Sequence, residues 1–589
     1  MRLIFRRKFA RFLRGSIVAS ARLLRAASIC GISLVAQAET VVTGLSDDVS
    51  ANVLSFLDID NLGCDAGQVE IDRAFARIDA QATEALNAFG FYAASIATSF
   101  ARTDECWQVD IAIEPGAAVR WRSVDLQLQG PAAETQAFQT VALSAAIAPG
   151  DILNHGSYDR LKRRLTDLAR DRGYAEARFS ESRIDIFPDE LAADLVLHFE
   201  SGPRYRIGEV YLDQDALDAD FVNAFHELEP GALYDNRLLT AAFLDLSDSG
   251  YFSAVDVRAL PADPVTQTIP VQIELSPAPR RLVSYGVGFS TDTGPRLRFG
   301  RTIRRFNSRG HQFSFETQLS PVVSELTSRY RMPVGDPRTD WLDFSLGAKR
   351  EETETSLARS IEAGVRRIAD RAGGWSRTQF VNIVIEDFEV ASQSGRPHLL
   401  IPGVDWGRIR GDDALRPSNG SRLDFELRGA SDRVLSDNSF LQATAYVKWI
   451  RTLGERNRVL LRGRMGATKE NAFAQLPPSV RFFAGGDDSV RGFDFESLGP
   501  VDVDGAVIGG PHLFEVSVEY EREIKPRWSL AVFHDAGNAF DDHDLDLRKG
   551  AGIGARWRSP LGPVRIDVAW PINDIEHGPR LHVSLGPDL

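Results

Sequence analysis

From about residue 280 to the carboxyl terminus the chain sets apolar side chains against polar and fully charged ones, and keeps doing so for some 310 residues. Leu441, Ala443, Ala445, Val447 and Trp449 are interleaved with Gln442, Thr444, Tyr446 and Lys448. Phe514, Val516, Val518 and Tyr520 are interleaved with Leu513, Glu515, Ser517 and Glu519, and Val564, Ile566, Val568 and Trp570 with Arg565, Asp567 and Ala569. Successive residues of a strand point to opposite faces, so each stretch has one apolar and one polar or charged face. A soluble sandwich can alternate too, but there the polar face is the exposed one. At roughly 19 residues per strand and connection, this length suits a transmembrane antiparallel β-barrel of about sixteen strands, with lipid outside and a watery lumen inside.

The other end of the chain agrees with export. Arg2, Arg6, Arg7, Lys8, Arg11, Arg14, Arg22 and Arg25 precede an apolar run from Ala26 to Val35 and then Ala36-Gln37-Ala38. A run of about ten apolar residues is too short to span a bilayer, which needs roughly 20. Residues 1–38 therefore read as a secretory signal peptide. Without those eight cations the formal charge falls from −14 to −22. So acidic a chain lacks the basic patches that nucleic-acid binding requires. Cys30 leaves with the leader, and Cys64 with Cys106 is expected to form a disulfide in an oxidising compartment. The alternatives are two inert thiols or a redox pair, although no C-x-x-C is present.

Between Glu39 and about Pro277 a theme recurs. Helical stretches end at Phe89-Gly90-Phe91-Tyr92, Arg172-Gly173-Tyr174 and Ser249-Gly250-Tyr251-Phe252, with the glycines 83 and 77 residues apart. Two alternating strands follow each glycine, as in Trp107-Gln108-Val109-Asp110-Ile111-Ala112-Ile113. Leu161, Leu165 and Leu168 give one helix an apolar face for packing on a small sheet. The reading is three α/β modules, 39–116, 117–202 and 203–279, each ordered strand, helix, helix, strand, strand, followed by a barrel over 280–589. This pattern resembles the POTRA domains of periplasmic transport-associated proteins. The resemblance implies exposed sheet edges to which another chain can add a strand.

A second resemblance rests on Arg481-Phe482-Phe483-Ala484-Gly485-Gly486-Asp487-Asp488-Ser489-Val490-Arg491-Gly492-Phe493. It is similar to the signature of the POTRA-plus-barrel superfamily of outer-membrane assembly factors, whose sixth extracellular loop carries a Val/Ile-Arg-Gly-Phe/Tyr tetrad, here Val490, Arg491, Gly492 and Phe493. Phe533-His534-Asp535-Ala536-Gly537 resembles the superfamily's Phe-x-Asp-x-Gly strand, and Arg416-Pro417-Ser418-Asn419-Gly420 one of its turns. Phe533, Asp535 and Gly537 share a strand face. If that face is luminal, the planar Arg491 fork can reach the Asp535 carboxylate. Three modules resemble the TamA branch, the barrel component of the translocation and assembly module.

These resemblances imply an outer-membrane factor, its modules in the periplasm of a Gram-negative cell, that inserts or secretes barrel and autotransporter-type proteins. Its partners would be client outer-membrane proteins, a large periplasm-spanning TamB-like protein and outer-membrane lipid. The alternative is a two-partner-type pore that passes one exoprotein through its lumen. A weak seam is expected where a first strand bearing Val283 and Tyr285 meets a last strand bearing Val583 and Leu585. No catalytic residue, cofactor or metal site is expected. Gly550, Gly552 and Gly554 mimic a dinucleotide loop but sit in a strand-like run with no helix after them. Asp541, Asp542, Asp544 and Asp546 lack the glycine and glutamate of a calcium loop. Thiol alkylation of the mature protein without reductant should label neither Cys64 nor Cys106; two labelled cysteines would overturn the bridge.

Overall fold

The segment from Glu39 to Glu114 shows how each module is built. Glu39–Thr43 runs parallel to Trp107–Glu114, which pairs antiparallel with Ser95–Arg102, giving a three-stranded mixed sheet. The same order recurs with Arg120–Gln129, Ala192–Glu200 and Arg178–Phe187, and again with Arg206–Asp213, Thr268–Pro277 and Phe252–Ala259. Helices cover one face of each sheet. The first module has three of them, Asp47–Phe56, Gln68–Phe75 and Ile78–Asn87, where two were expected. The structure is a computed structural model that describes residues 38–102, 106–371, 373–413, 416–541, 545–559, 562–572 and 578–586. The expected leader up to Gln37, Asp542 and Asp544 of the acidic cluster, and Pro587 fall outside the described residues.

Local chemistry sets the helix ends. The three glycines that marked the repeat all have positive φ, +85° at Gly90, +79° at Gly173 and +73° at Gly250. At the second, Tyr174 N–H reaches back to the Ala169 carbonyl at 2.9 Å, so the left-handed residue closes the helix. At the start of that helix the Asn154 side chain accepts from Ser157 N–H at 3.0 Å. Leu161, Leu165 and Ala169 are buried, and Leu168 packs at the margin of the same core. Cys64 and Cys106 are bonded, with Cα atoms 4.8 Å apart. Burying apolar surface at about 25 cal/mol per Å² stabilises small cores of this kind only modestly, so the bridge adds where the core is thin.

The chain folds as two units, one closing at Arg204 and the other opening at Tyr205. The second contains the third module and a closed antiparallel barrel from Arg281 to Leu585. Its sixteen staves include one in two pieces, Gln393–Gly395 and His398–Gly411, which both pair with Trp375–Val390. The barrel is apolar outside and charged inside. On the twelfth stave, His512–Lys525, Val516, Val518 and Tyr520 are exposed, whereas Glu515, Ser517, Glu519 and Glu521 are buried. That inversion of a soluble protein fits lipid on the outer face. Among the described residues no helix is long and apolar enough to cross a membrane.

The third module docks on two turns of the barrel. The Tyr251 hydroxyl donates to the Gly310 carbonyl, Asp218 N–H donates to Ser308 O at 2.8 Å, and Arg338 Nη1 donates to Asp245 at 3.0 Å. Burial pushes the Tyr251 phenol up to about 12, so it remains a donor at any physiological pH. Gly310 has φ +74°, and a Cβ there would be driven into the Phe221 ring. Gly310→Ala should therefore weaken the dock by about 1–3 kcal/mol, the usual scale for strain plus overpacking. Faster limited proteolysis at the junction would register this. Gly454→Ala, at φ +66° with nothing within 4 Å, serves as the control for backbone strain alone.

Candidate functional site

The sixth outer loop, residues 471–511, folds inward between the eleventh and twelfth staves, Asn457–Glu470 and His512–Lys525. Val480, Ala484, Val490 and Phe493 are buried along it. Arg481 ties the loop to itself, donating to the carbonyls of Leu476 at 2.8 Å, Ile508 at 2.9 Å and Ala474 at 3.2 Å. Gly492 holds φ +101°, with the Trp570–Pro571 backbone against the position a Cβ would take. A side chain there would meet both strain and a wall.

This path delivers Arg491 to the strand wall. Nε and Nη2 donate to the two oxygens of Asp535 at 2.7 and 3.0 Å, a bidentate fork. Nη1 donates to Glu519 at 2.8 Å and to Asp567 at 3.0 Å, and the guanidinium lies 3.4 Å from the centre of the Phe533 ring. Ser517 donates to Asp535 at 2.6 Å. Asp535 has no exposed side-chain surface. Phe533 and Asp535 thus face Arg491, while Gly537 on the same face lies close against Glu515.

Sequence reasoning proposed the Arg491–Asp535 pair but missed its extent. Arg556 also grips Glu519, at 2.6 Å, and Asp567. Glu521 is shared by Arg458 at 2.7 Å and by Arg416, from the Arg-Pro-Ser-Asn-Gly turn, at 2.9 Å. Four guanidinium groups and four carboxylates therefore form one buried network that balances to zero. The signal was present in the alternation of Glu515, Ser517, Glu519 and Glu521, but their partners come from loop six, a distant turn and other staves, which leaves no spacing to read. The glycines that mimicked a nucleotide loop make room for this packing. A Cβ on Gly550 would strike the Arg491 carbonyl, on Gly552 the Phe533 ring, and on Gly554 the Asp567 carboxylate.

The seam lies elsewhere along the first strand than expected. The first stave, Arg281–Ser290, and the last, Arg580–Leu585, share a single registered pair, Ser290 with Ser584. Thr291 N–H donates to Val583 O at 3.1 Å, and the Thr291 hydroxyl accepts from Val583 N–H at 3.1 Å. Val283 and Tyr285 instead sit opposite Arg301 and Phe299 of the second stave, and neither faces Val583 or Leu585. The expected pairing is corrected because the last described strand reaches only the outer end of the first. By contrast, ten registered pairs join the first stave to the second.

Residues 284–587 match the Omp85 superfamily domain, and residues 39–115 match the POTRA domain TamA domain 1. The chain is 24% identical over 451 residues to an outer membrane protein assembly factor BamA of Nitratidesulfovibrio vulgaris, covering 72% of this chain and 56% of that protein. It is 23% identical over 548 residues to the BamA of Neisseria meningitidis serogroup B, covering 79% and 66%. It thus spans between about half and two thirds of the length of these relatives. The crystal structure of BamA from Haemophilus ducreyi lacking POTRA domains 1–3 has the same fold, with TM-score 0.68 at 14% identity over 80% of this chain and 99% of that one.

Removing one partner of a buried ion pair typically costs about 3–5 kcal/mol, because the other charge stays desolvated. Arg491→Ala should lower the temperature at which the barrel loses its folded electrophoretic mobility. Asp535→Asn should do so less, since Glu519 and Asp567 still hold the guanidinium. The double variant should fall well short of the summed defects. Full additivity would mean that the two groups do not act together.

Proposed function

Because the chain belongs to the Omp85 superfamily, we propose that it acts in the outer membrane of a Gram-negative cell as an assembly factor for other proteins. Its clients are unfolded barrel or autotransporter-type chains that arrive through the periplasm. The observation that carries this reading is the seam, since one registered pair holds a joint where the neighbouring stave is held by ten. A parted seam exposes two unpaired edges in the plane of the membrane, and a client strand can add to either through main-chain hydrogen bonds. Nothing in the process needs a catalytic residue or a cofactor.

The modules supply further strand edges. Ser95–Arg102, Arg178–Phe187 and Phe252–Ala259 are each an edge strand of their sheet, with a free row of donors and acceptors. Three such modules, with a first one of the TamA type, support assignment to that branch. A large periplasm-spanning TamB-like partner would then dock on the module farthest from the barrel in the chain. The inward fold of loop six argues against free passage through the lumen. Val490, Phe493 and Arg491 fill the wall side, leaving a cavity of about 1280 Å³ lined by groups such as Arg296, Arg422, Lys448 and Arg464.

The register gives the test. Ser290→Cys with Ser584→Cys should form a disulfide across the seam and abolish insertion of a barrel client into proteoliposomes, and reductant should restore it. Full activity in protein shown to be cross-linked would rule out lateral opening and favour transport through the lumen.

A further inference from the structure

The seam is short of ladder bonds, yet both of its edges are tied to a third element. Loop-six Asp487 sits between them. Its Oδ1 accepts from the Thr291 hydroxyl, just past the first stave, at 2.6 Å, and from His582 Nδ1, on the last stave, at 2.6 Å. Asp487 N–H donates to Asp292 Oδ2 at 2.7 Å. Three residues past Ser489, Gly492 N–H donates to His582 Nε2 at 2.9 Å, and Asp494 pairs with Arg580. The side chains of Asp487 and His582 are both more than nine-tenths buried. Arg491 meanwhile binds the twelfth, thirteenth and fifteenth staves through Glu519, Asp535 and Asp567.

The protonation pattern follows from the donors. Since Gly492 N–H can only donate, Nε2 offers its lone pair, and the imidazole proton resides on Nδ1, aimed at Asp487. Neither ring nitrogen then has a lone pair left for a cation. Asp292, Asp487 and His582 stand close enough together to suggest a metal centre. This hydrogen-bonding assigns them instead to a clasp.

We propose that loop six is the fastener of the seam: Asp487 and His582 hold the first and last staves shut, so seam opening requires loop six to let go. The inference rests on the seam-opening reading and adds what controls it. A client or partner that draws on loop six from the lumen would free both edges in one event. Ladder pairing alone would leave the seam's state to the lipid.

Ser290 is buried when the seam is closed, so a lone cysteine there reports opening by its rate of maleimide alkylation. The experiment uses the full chain in proteoliposomes, with the Cys64–Cys106 bridge intact. Asp487→Ala removes the acceptor of both edges and should speed alkylation about tenfold, the factor that corresponds to the loss of roughly one charge-assisted hydrogen bond. Asp487→Asn keeps an acceptor oxygen and should stay near the parental rate. Should the alanine barrel fail to assemble, His582→Phe makes the same test from the other edge. Unchanged alkylation in a folded Asp487→Ala or His582→Phe barrel would overturn the clasp, whatever the cross-linking test says. Faster alkylation, with full client insertion by the cross-linked protein, would keep the clasp and overturn the seam-opening reading.

Discussion

Every backbone donor and acceptor of a strand in hydrocarbon must be paired within the protein, because no water is there to replace a missing partner. A ring of strands meets this demand only if its last member returns to its first. Here the last described strand, Arg580–Leu585, is six residues long and meets the first at one registered pair. Loop six supplies much of what the ladder lacks. Its inward course, the glycine stripe that admits it and the charge network that holds it all serve a ring that does not close well by itself.

The charge network sits where burial is least expensive. Four arginines and four carboxylates with matched geometry lose less on desolvation than isolated ions would. All four acids stand on the staves that follow the loop, Glu519 and Glu521 on the twelfth, Asp535 on the thirteenth and Asp567 on the fifteenth. The value of such a lattice is chiefly one of position. A hydrophobic filling could pack the same space but would not fix one loop in one register.

Much of the fold was legible because its signals are local. Alternation marks strands residue by residue, so the barrel and its approximate size could be read from Leu441–Trp449 and its like, and the three helix-capping glycines exposed the modules. Two kinds of feature were not legible. The seam register depends on how a whole ring closes, and nothing near Val283 or Val583 encodes it. Arg556, Asp567 and His582 acquire their roles by convergence across neighbouring staves, so no spacing announces them. The Gly550, Gly552 and Gly554 run was visible, but only the loop packed on it explains why side chains are absent there.

The dock of the third module has a mechanical consequence. The bonds described for it fall on the turns around Ser308–Gly310 and Arg338, which join the second stave to the third and the fourth to the fifth. Arg280, at the foot of the first stave, is tied to the Arg305 carbonyl at 2.8 Å in the same region. The barrel is thus braced on one flank of its joint like a door frame, while the flank ending at Leu585 hangs as the leaf. Load on the third module therefore reaches the barrel at the turns that join the second to the fifth staves.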